Sequence, residues 1–221
     1  MCGRVSTSDP AVIAKKLHLK YALDLIKPGS INLPPSSELP LITDDKGEEL
    51  QYFYWSLIPF WSKEKPKFSS FNARLENLRL SAVWKHLVGK RHCVIITDGF
   101  YEWKKMDEKG KVKQAYLIRI KNQQFTLMAG LWDTWVDQST GEMINTCTII
   151  TRTSNEFMKD IHERMPCLLD INAAKIWLNK NLPVEERLKV LEPISNDSLD
   201  LSKVKKVGDQ MEYSALSETH Q

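Results

Sequence analysis

Short, mostly apolar runs recur along much of the middle of the chain, which is a pattern that β-strands produce. Turn-forming pairs such as Asp98-Gly99 separate these runs. The predicted strands cover about residues 41–43, 50–55, 91–97, 100–103, 114–120, 125–131 and 146–151. The first two are expected to form a hairpin across the turn at residues 44–47.

Helical spacing of the apolar residues is confined to short segments. The predicted helices cover about residues 10–19, 78–90, 154–160, 171–179 and 183–191. The first begins at Ser8-Asp9-Pro10, where a capping residue precedes a proline in the first turn. Between residues 27 and 40, four prolines instead predict an extended loop.

Strands outnumber helices in this prediction and mostly meet at short turns, which favours antiparallel pairing. The predicted fold class is therefore α+β: a single domain with a curved, mainly antiparallel β-sheet, a barrel-like core and peripheral helices. Neither an internal repeat nor a linker divides the 221 residues. The domain is expected to span residues 2–221, with Met1 removed and a loose polar tail over roughly residues 208–221.

Charge and hydropathy narrow the class of protein. The formal net charge is only +3, so a nucleic-acid site would have to be a local basic patch. No apolar run approaches the ~18 residues of a membrane span, and no secretion signal follows Met1. We therefore expect a cytoplasmic protein without a membrane partner, associated with the nucleoid if the host is a bacterium.

The cysteines do not form a metal-binding pattern. None of the four belongs to a C-x-x-C pair and the five histidines lack ligand spacing, so neither a metal nor another cofactor is expected. Cys93 and Cys147 lie in apolar, strand-like runs and should be buried. A disulfide framework is not expected in a cytoplasmic protein.

Cys2 is chemically distinct because it directly follows the initiator methionine. Removal of Met1 would leave the α-amine and the thiol of Cys2 on neighbouring carbons, a 1,2-aminothiol. Such a group condenses with an aldehyde to an imine, and the thiol then closes a thiazolidine ring. An α-amine titrates near ~8 and a cysteine thiol near ~8.5, so nucleophilic forms of both exist at neutral pH. Taken alone, a cysteine in a frayed terminus is more often incidental.

Three other polar positions are candidates for chemistry, and each also has a structural explanation. Asn72 precedes Arg74 and could orient a polar substrate, or it could simply serve a turn. Glu102 sits among aromatic residues, where a raised pKa would suit a general acid or base, yet an exposed edge glutamate fits as well. His162 ends an irregular segment after a strand, a common place for catalytic groups, although a lone histidine is more often structural.

Residues 56–71 combine aromatic and basic side chains without a helical or strand period. Within them, Trp61 is followed by Lys63, Lys65 and Lys67. A tryptophan beside basic residues suits stacking on a nucleobase. The lysines alone would more often form a solvated face.

Six segments of the chain form a recognisable set: Met1-Cys2-Gly3-Arg4, Ile31 to Pro35, Trp55 to Pro59, Asn72 to Glu76, Arg91 to Trp103 and Ile161 to Pro166. In this order they resemble the SRAP family, the SOS-response-associated peptidases, and the match covers nearly the whole chain. The chain departs from the family pattern at Ser56, Asn77 and the Leu33-Pro34 pair. None of these departures touches the proposed chemistry.

The resemblance implies recognition of abasic sites in single-stranded DNA during the DNA damage response. An abasic site exists partly as a ring-opened aldehyde. Cys2 would form a Schiff base through its amine and a covalent thiazolidine crosslink through its sulfur. Glu102 would open the deoxyribose ring as an acid, and His162 would assist proton transfer at the sugar oxygen and reversal of the crosslink. Asn72 would hold the terminal amine and the sugar.

The resemblance also implies a set of residues that contact the DNA around the lesion. Three arginines would bind the flanking phosphates: Arg4, Arg74 and Arg164. A wall that holds neighbouring bases apart would consist of Pro35, Trp61 and Trp103, and the set is completed by Asn32 and Thr151. We expect a monomer, with the replication machinery as a further partner.

Two other functions remain open from the sequence. A thiol peptidase would use Cys2 as nucleophile, His162 as base and Glu102 as the orienting group. Cleavage of a peptide in trans that depends on Cys2 would favour it. A non-enzymatic reader of modified DNA bases would leave Cys2 incidental, and tight binding to undamaged duplex that survives Cys2→Ser would favour that function.

Overall fold

A computed structural model of the protein describes residues 2–22, 27–44, 46–205 and 207. The strands formed by these residues are β1 (Val5–Thr7), β2 (Ser30–Leu33), β3 (Glu38–Thr43), β4 (Gln51–Trp55), β5 (Asn72–Arg74), β6 (His92–Thr97), β7 (Gly99–Lys105), β8 (Lys113–Ile120), β9 (Thr126–Val136), β10 (Met143–Thr153), β11 (Arg164–Pro166), β12 (Leu168–Leu169) and β13 (Leu199–Val204). The helices are α1 (Pro10–Leu17), α2 (Glu156–Lys159), α3 (Ile171–Leu178) and α4 (Val184–Lys189), with 3₁₀ turns at Leu75–Asn77 and Asn196–Ser198.

Five strands close into a barrel because the two eleven-residue strands, β9 and β10, pair with each other as well as with their other neighbours. The order around the barrel is β4, β3, β6, β9 and β10, and β10 returns to β4. Pairing in this ring is antiparallel except between β10 and β4. The predicted α+β class with a mainly antiparallel, barrel-like core is confirmed.

Alternate side chains of the barrel strands point to opposite faces, which explains why β6 is buried along its whole length. Cys93 and Ile95 belong to an interior cluster to which all five barrel strands contribute. Val94 and Ile96 belong instead to an outer cluster with Trp177 of α3. The helices therefore cover the outside of the barrel at this strand.

Gly130 of β9 lies where three barrel strands approach closely. It pairs with Cys93 on β6 and with Ile149 on β10. A Cβ atom at this position would lie 2.7 Å from the carbonyl oxygen of Thr148 and 2.8 Å from Sγ of Cys93. Since the carbonyl is fixed by the sheet and the Cys93 side chain is fully buried, only glycine fits here.

A second sheet carries the N-terminal strand. Its order is β13, β8, β7, β1 and β2, and each neighbouring pair is antiparallel. Asp98 alone separates β6 of the barrel from β7 of this sheet, and its N–H donates to the carbonyl of Ser6 at 2.8 Å. This short connection places the start of the chain beside β7.

The segment predicted as a helix over residues 78–90 is instead a series of turns. The carbonyl of Ser81 accepts from the N–H of both Trp84 (3.2 Å) and Lys85 (2.9 Å), so no regular helical ladder forms. The Ser81 hydroxyl accepts a hydrogen bond from the N–H of Val83 at 3.2 Å and so competes with helix formation. The prediction of this helix was wrong, whereas the other four helices and the predicted hairpin of β3 with β4 are confirmed.

Some expectations concern parts of the chain that the structure does not cover. The predicted removal of Met1 and the predicted loose tail over roughly residues 208–221 lie outside the described residues. The domain boundaries therefore stay a prediction. No helix among the described residues is long and apolar enough to cross a lipid bilayer.

Candidate active site

The start of the chain is held by β1, which lies between β2 and β7. In its register with β7, Val5 pairs with Phe100. The N–H of Tyr101 donates to the carbonyl of Arg4 at 2.9 Å, which continues this register toward the N-terminus. Antiparallel pairing thus directs the residues before Arg4 toward the part of β7 that carries Glu102.

Cys2 is fully buried and its thiol is not part of a disulfide. Burial raises the pKa of the thiol well above its usual range, and the charge of Glu102 raises it further. This holds for the chain that still carries Met1. Removal of Met1 would place an α-ammonium group on Cys2 itself, and a positive charge that close would lower the pKa of the thiol.

Asn72 holds the backbone of Cys2. It opens β5, which pairs in parallel with β10 so that Asn72 lies opposite Ile149. Its Nδ2 donates to the carbonyl of Cys2 at 2.8 Å. Its Oδ1 is buried and accepts no hydrogen bond from the residues that the structure describes. An N–H or O–H group of a substrate, or of a Cys2 amine, could therefore use this acceptor.

Glu102 is a buried carboxyl group on β7, with 3% of its surface exposed. It pairs with Tyr116 of the neighbouring strand β8 in the second sheet. Burial raises the pKa of this carboxyl group, and the charge of His162 opposes part of that rise. Glu102 therefore holds a proton at a higher pH than an exposed glutamate does, as a general acid requires.

His162 is positioned by the turn that follows α2. Asn155 caps this helix, its Oδ1 accepting from the N–H of Met158 at 3.0 Å, and the N–H of His162 donates to the carbonyl of Met158 at 3.0 Å. The backbone N–H of Arg164 donates to Nδ1 of the imidazole at 3.0 Å. The carbonyl oxygen of Arg164 lies 3.2 Å from the same nitrogen, so the backbone of Arg164 orients the ring in either tautomer.

These four side chains form one site. Asn72 is hydrogen-bonded to Cys2, the charge of Glu102 acts on the Cys2 thiol, and the charge of His162 acts on Glu102. The structure thus brings together the four residues predicted as catalytic, whose roles stay a prediction. Among the described residues, no three His, Cys, Asp or Glu side chains form a group that could hold a metal ion.

Arg4, Asn32 and Pro35 of the predicted DNA-binding set lie at the β2 edge of the second sheet. The pairing of β1 with β2 places Val5 opposite Leu33. Arg4 and Asn32 consequently meet, with Nη1 donating to Oδ1 at 3.3 Å. Pro35 follows in the turn between β2 and β3 and, like the other two, is half-buried.

Trp61, Arg74 and Trp103 of the same set differ in exposure. The side chain of Trp61 is 51% exposed, and Arg74 at the end of β5 is exposed as well. Trp103 is half-buried and packs against a small cluster that contains Leu117. Trp61 and Arg74 are therefore more accessible to a ligand than Trp103.

Arg164 is buried, and its guanidinium is engaged inside the protein. Nη1 and Nη2 donate to the two carboxylate oxygens of Glu76 at 2.6 and 3.0 Å. Nη2 also donates to the carbonyl of Thr151 at 2.7 Å. This ion pair ties the His162 segment to the segment that follows Asn72. Phosphate contacts of Arg164 and Thr151 stay a prediction.

Glu76 is the residue of this region that sequence reasoning did not single out. Its only signal was its place at the end of the Asn72 to Glu76 motif. In the structure it neutralises Arg164, and the hydrogen bonds from Arg164 hold the pKa of Glu76 below its usual value of 4.5. The pair's contribution to the free energy of unfolding is thus fully present above pH 4.5. It is lost as the pH falls through the lower pKa that Glu76 has in the folded state.

We expect Glu76→Gln to lower the free energy of unfolding by about 1–2 kcal/mol at neutral pH, because the buried Arg164 loses its charge partner. The loss stays below the ~3–5 kcal/mol of a fully buried pair, since the Glu76 side chain is half exposed. Denaturant unfolding at several pH values measures the effect. The difference from wild type should shrink as the pH falls from 4.5 through the lower pKa of folded Glu76, because Glu76 of wild type is then protonated as well.

Glu48→Gln is the matched control, since it removes a pair with Lys20 in which both side chains are more than 80% exposed. We expect a change of less than about 0.5 kcal/mol for this variant. Equal losses in the two variants, or a Glu76→Gln loss that is undiminished at acidic pH, would contradict the assignment.

The fold and the site define an α+β protein whose barrel core buries a cysteine at position 2 beside an amide, a carboxyl group and an imidazole. Comparison with known families shows which family this is. The chain belongs to the SRAP family, since the model described as SOS response associated peptidase (SRAP) matches residues 1–210. The resemblance seen in the sequence motifs is thereby confirmed.

Individual relatives are similar over most of the chain. The abasic site processing protein YoaM of Bacillus subtilis is 37% identical over 178 residues, covering 79% of this chain and 77% of YoaM. The abasic site processing protein HMCES of Xenopus tropicalis is 30% identical over 197 residues, covering 76% of this chain and 59% of that protein. A crystal structure of a protein from Bacteroides thetaiotaomicron has a TM-score of 0.84 at 25% identity and covers 95% of this chain and 97% of its own.

Proposed function

We propose that this protein processes abasic sites in single-stranded DNA by forming a protective covalent crosslink through Cys2. The observation that carries the proposal is the position of Cys2, which Asn72 holds by its carbonyl and which lies within the electrostatic reach of the buried acid Glu102. Relatives that are named abasic site processing proteins support the choice of substrate. The aldehyde of a ring-opened abasic site is the reaction partner that a 1,2-aminothiol requires.

The first step forms an imine. After removal of Met1, the α-amine of Cys2 attacks C1′ of the ring-opened sugar. Glu102 donates a proton to the ring oxygen as the sugar opens, and its carboxylate takes up the proton that the C1′ hydroxyl loses on becoming the aldehyde. When the amine attacks, one of its protons moves to the aldehyde oxygen to give the carbinolamine. Glu102 then protonates the carbinolamine hydroxyl, which leaves as water, and the second amine proton returns to the carboxylate, so Glu102 is regenerated. The raised pKa of Glu102 supports this role, because it keeps a larger fraction of the carboxyl group protonated.

The second step closes the ring. The sulfur of Cys2 bonds to the imine carbon, and its proton moves to the imine nitrogen, so that a thiazolidine results and one water has been released overall. The free Oδ1 of Asn72 is suited to accept from the amine N–H. The imidazole of His162, which the backbone of Arg164 orients, is suited to serve the hydroxyl of the opened sugar, in the forward direction and in slow reversal.

The family name raises a second activity, a peptidase in which Cys2 attacks a peptide carbonyl. Cysteine peptidases work through a thiolate that a low thiol pKa maintains. Burial and the charge of Glu102 raise the pKa of the Cys2 thiol while Met1 is present, and the α-ammonium group left by Met1 removal would lower it. In the crosslink the amine reacts first and the thiol then adds to an already activated imine, so this chemistry does not require a low thiol pKa.

Single-stranded DNA is exposed during replication, so the replication machinery is the expected further partner. We expect a monomer in the cytoplasm, at the nucleoid if the host is a bacterium. A monomer suffices because all four proposed catalytic residues come from one chain.

Incubation of the purified protein with a single-stranded oligonucleotide that carries one abasic site tests the proposal. A slower band should persist on a denaturing gel without borohydride, because a thiazolidine, unlike an imine, survives without reduction. The intact mass should equal that of DNA plus protein, less Met1 and one water. Undamaged DNA and an abasic site reduced to the alcohol should not crosslink. Crosslinking of the reduced site would contradict the aldehyde mechanism.

A further inference from the structure

Trp61 is the most exposed of the three residues predicted to hold neighbouring bases apart, at 51%. A ring that stands this far out of the protein gains little orientation from packing, so its direction depends on the backbone on either side. A ring that is already in place when DNA binds avoids the entropy cost of being ordered then. The contacts that fix the surrounding segment, residues 56–71, therefore bear on DNA binding, and we call this segment the Trp61 loop.

Two hydrogen bonds from the barrel strand β9 anchor the backbone on both sides of Trp61. The N–H of Phe60 donates to Oδ2 of Asp133 at 2.9 Å. The carbonyl of Ser62 accepts from Nε1 of Trp135 at 2.7 Å. Asp133 and Trp135 are 3% and 2% exposed, so both anchors lie in the close-packed part of the protein. The residues before and after Trp61 are thereby tied to the barrel.

The anchor at Asp133 has a second partner, His86. Nε2 of the imidazole lies 3.3 Å from the same carboxylate oxygen that accepts from Phe60. A carboxylate only accepts hydrogen bonds, so Nε2 is the donor in this contact. The imidazole also meets the Phe60 ring edge-on, with 5.4 Å between the ring centroids. His86 thus holds the carboxylate toward the Trp61 loop and supports the residue next to Trp61 from the side.

Fold stability alone does not account for this choice of partners. A buried carboxylate such as Asp133 needs hydrogen-bond donors, but any donor would satisfy it. Its donors are the amide of the residue before Trp61 and an imidazole that touches that residue's ring. The ring contact buries little surface, because Phe60 stays 61% exposed, and so adds little to the free energy of unfolding. The contacts are better explained by the orientation of the loop.

We infer that Asp133 and His86 are positioning residues for DNA binding, which act through the backbone at Phe60 to orient Trp61. Trp135 does the same from the other side, through Ser62. These residues act without contacting the DNA themselves. The inference rests on the proposed function, in which Trp61 is expected to stand between bases beside the abasic site.

Equilibrium binding to a single strand with a reduced, unreactive abasic site tests the coupling between His86 and Trp61. Trp61→Ala should weaken binding about tenfold, because one aromatic contact with a base is lost. His86→Ala should weaken it about fivefold, because the ring is still present but has to be ordered on binding. In a Trp61→Ala background, His86→Ala should change the binding constant less than about twofold, since the ring that it orients is gone.

Two further variants make the test independent of a single substitution. His86→Gln keeps a side-chain N–H that can donate to Asp133, so it should bind within about twofold of wild type. Trp135→Phe removes only the donor to Ser62 and should weaken binding to the same extent as His86→Ala. Its effect should also disappear in the Trp61→Ala background. If His86→Ala does not fold, Trp135→Phe carries the same test.

Thr134→Val is the matched control. It lies on the same strand and loses a side-chain hydrogen bond of 2.8 Å, but the partner is Asn145 rather than the Trp61 loop. Binding of this variant should equal that of wild type. Thermal unfolding of every variant shows that the proteins compared are folded at the temperature of the assay.

The concentration dependence of crosslinking separates positioning from chemistry. With reactive abasic DNA, His86→Ala should raise the DNA concentration at half-maximal rate about fivefold, in line with its weaker binding. The rate at saturating DNA should stay within about twofold of wild type, because Cys2 and Glu102 are unchanged. A loss confined to the rate at saturation would overturn the inference.

The outcomes also distinguish this inference from the proposed function. Equal weakening by His86→Ala with and without the Trp61 ring would show that His86 acts on the fold as a whole, and the inference would be wrong. Unchanged binding by His86→Ala or by Trp61→Ala would overturn it as well, while the crosslink through Cys2 would stand. If wild type fails to crosslink abasic DNA, the proposed function is wrong.

Discussion

Cys2→Ala is expected to abolish the stable crosslink to abasic single-stranded DNA. The variant keeps an α-amine after Met1 removal, so it can still form an imine, but it lacks the sulfur that closes the ring. Borohydride should therefore trap a product with Cys2→Ala, whereas no band should survive denaturation without it. Thermal unfolding must accompany the assay, since Cys2 is fully buried and its truncation removes core contacts.

An insertion tests whether crosslinking needs the 1,2-aminothiol or only the thiol. Placing one alanine between Met1 and Cys2 leaves the thiol in the chain but moves the α-amine to the alanine once Met1 is removed. The thiazolidine can then no longer form, so we expect loss of crosslinking as complete as for Cys2→Ala. A peptidase-type nucleophile needs only the thiol and would retain activity. Stable crosslinking by either variant would disprove the proposed chemistry.

The barrel could be predicted from the sequence because its strands are long enough to form recognisable apolar runs. The short strands could not, since two or three residues establish no pattern and they form only by pairing with longer neighbours. These short strands carry the candidate chemistry: Arg4 directly precedes β1, Asn72 opens β5 and Arg164 opens β11. Strand β13 was also missed, because the alternation of Leu199-Asp200-Leu201-Ser202 contains only two apolar residues and ends at Lys203.

The candidate site could be predicted only as separate motifs, because the sequence does not show which polar residues are buried together. His92 and His162 illustrate this. His92 stacks on Trp177 with 3.6 Å between ring centroids, and burial lowers its pKa to about 3, so it stays neutral in the core. His162 is half-buried, and a positive charge on its ring opposes part of the rise in the pKa of Glu102. Tertiary packing alone distinguishes the structural histidine from the candidate catalytic one.

Glu102→Gln is expected to slow crosslinking by about 10²–10⁴-fold, because glutamine keeps the shape of the side chain but cannot donate a proton to the sugar oxygen. The pH profile carries further information. In wild type the rate should fall at low pH as the α-amine is protonated, and again at high pH as Glu102 loses its proton. The variant should lose the alkaline decline. Single-turnover crosslinking rates across the pH range measure both effects, with the exposed Glu163→Gln as the control.

The same substitution should stabilise the fold, and this excludes unfolding as the cause of the slower reaction. Burial raises the pKa of Glu102 above its usual value of 4.5, so between these two pKa values the native state binds more protons than the unfolded state. The stability of wild type therefore falls as the pH rises through this window, whereas that of Glu102→Gln does not. The melting temperature of the variant should exceed that of wild type by an amount that grows above pH 4.5 and then levels off. A variant that is slower but also less stable at pH 8 would show that Glu102 supports the structure rather than the chemistry.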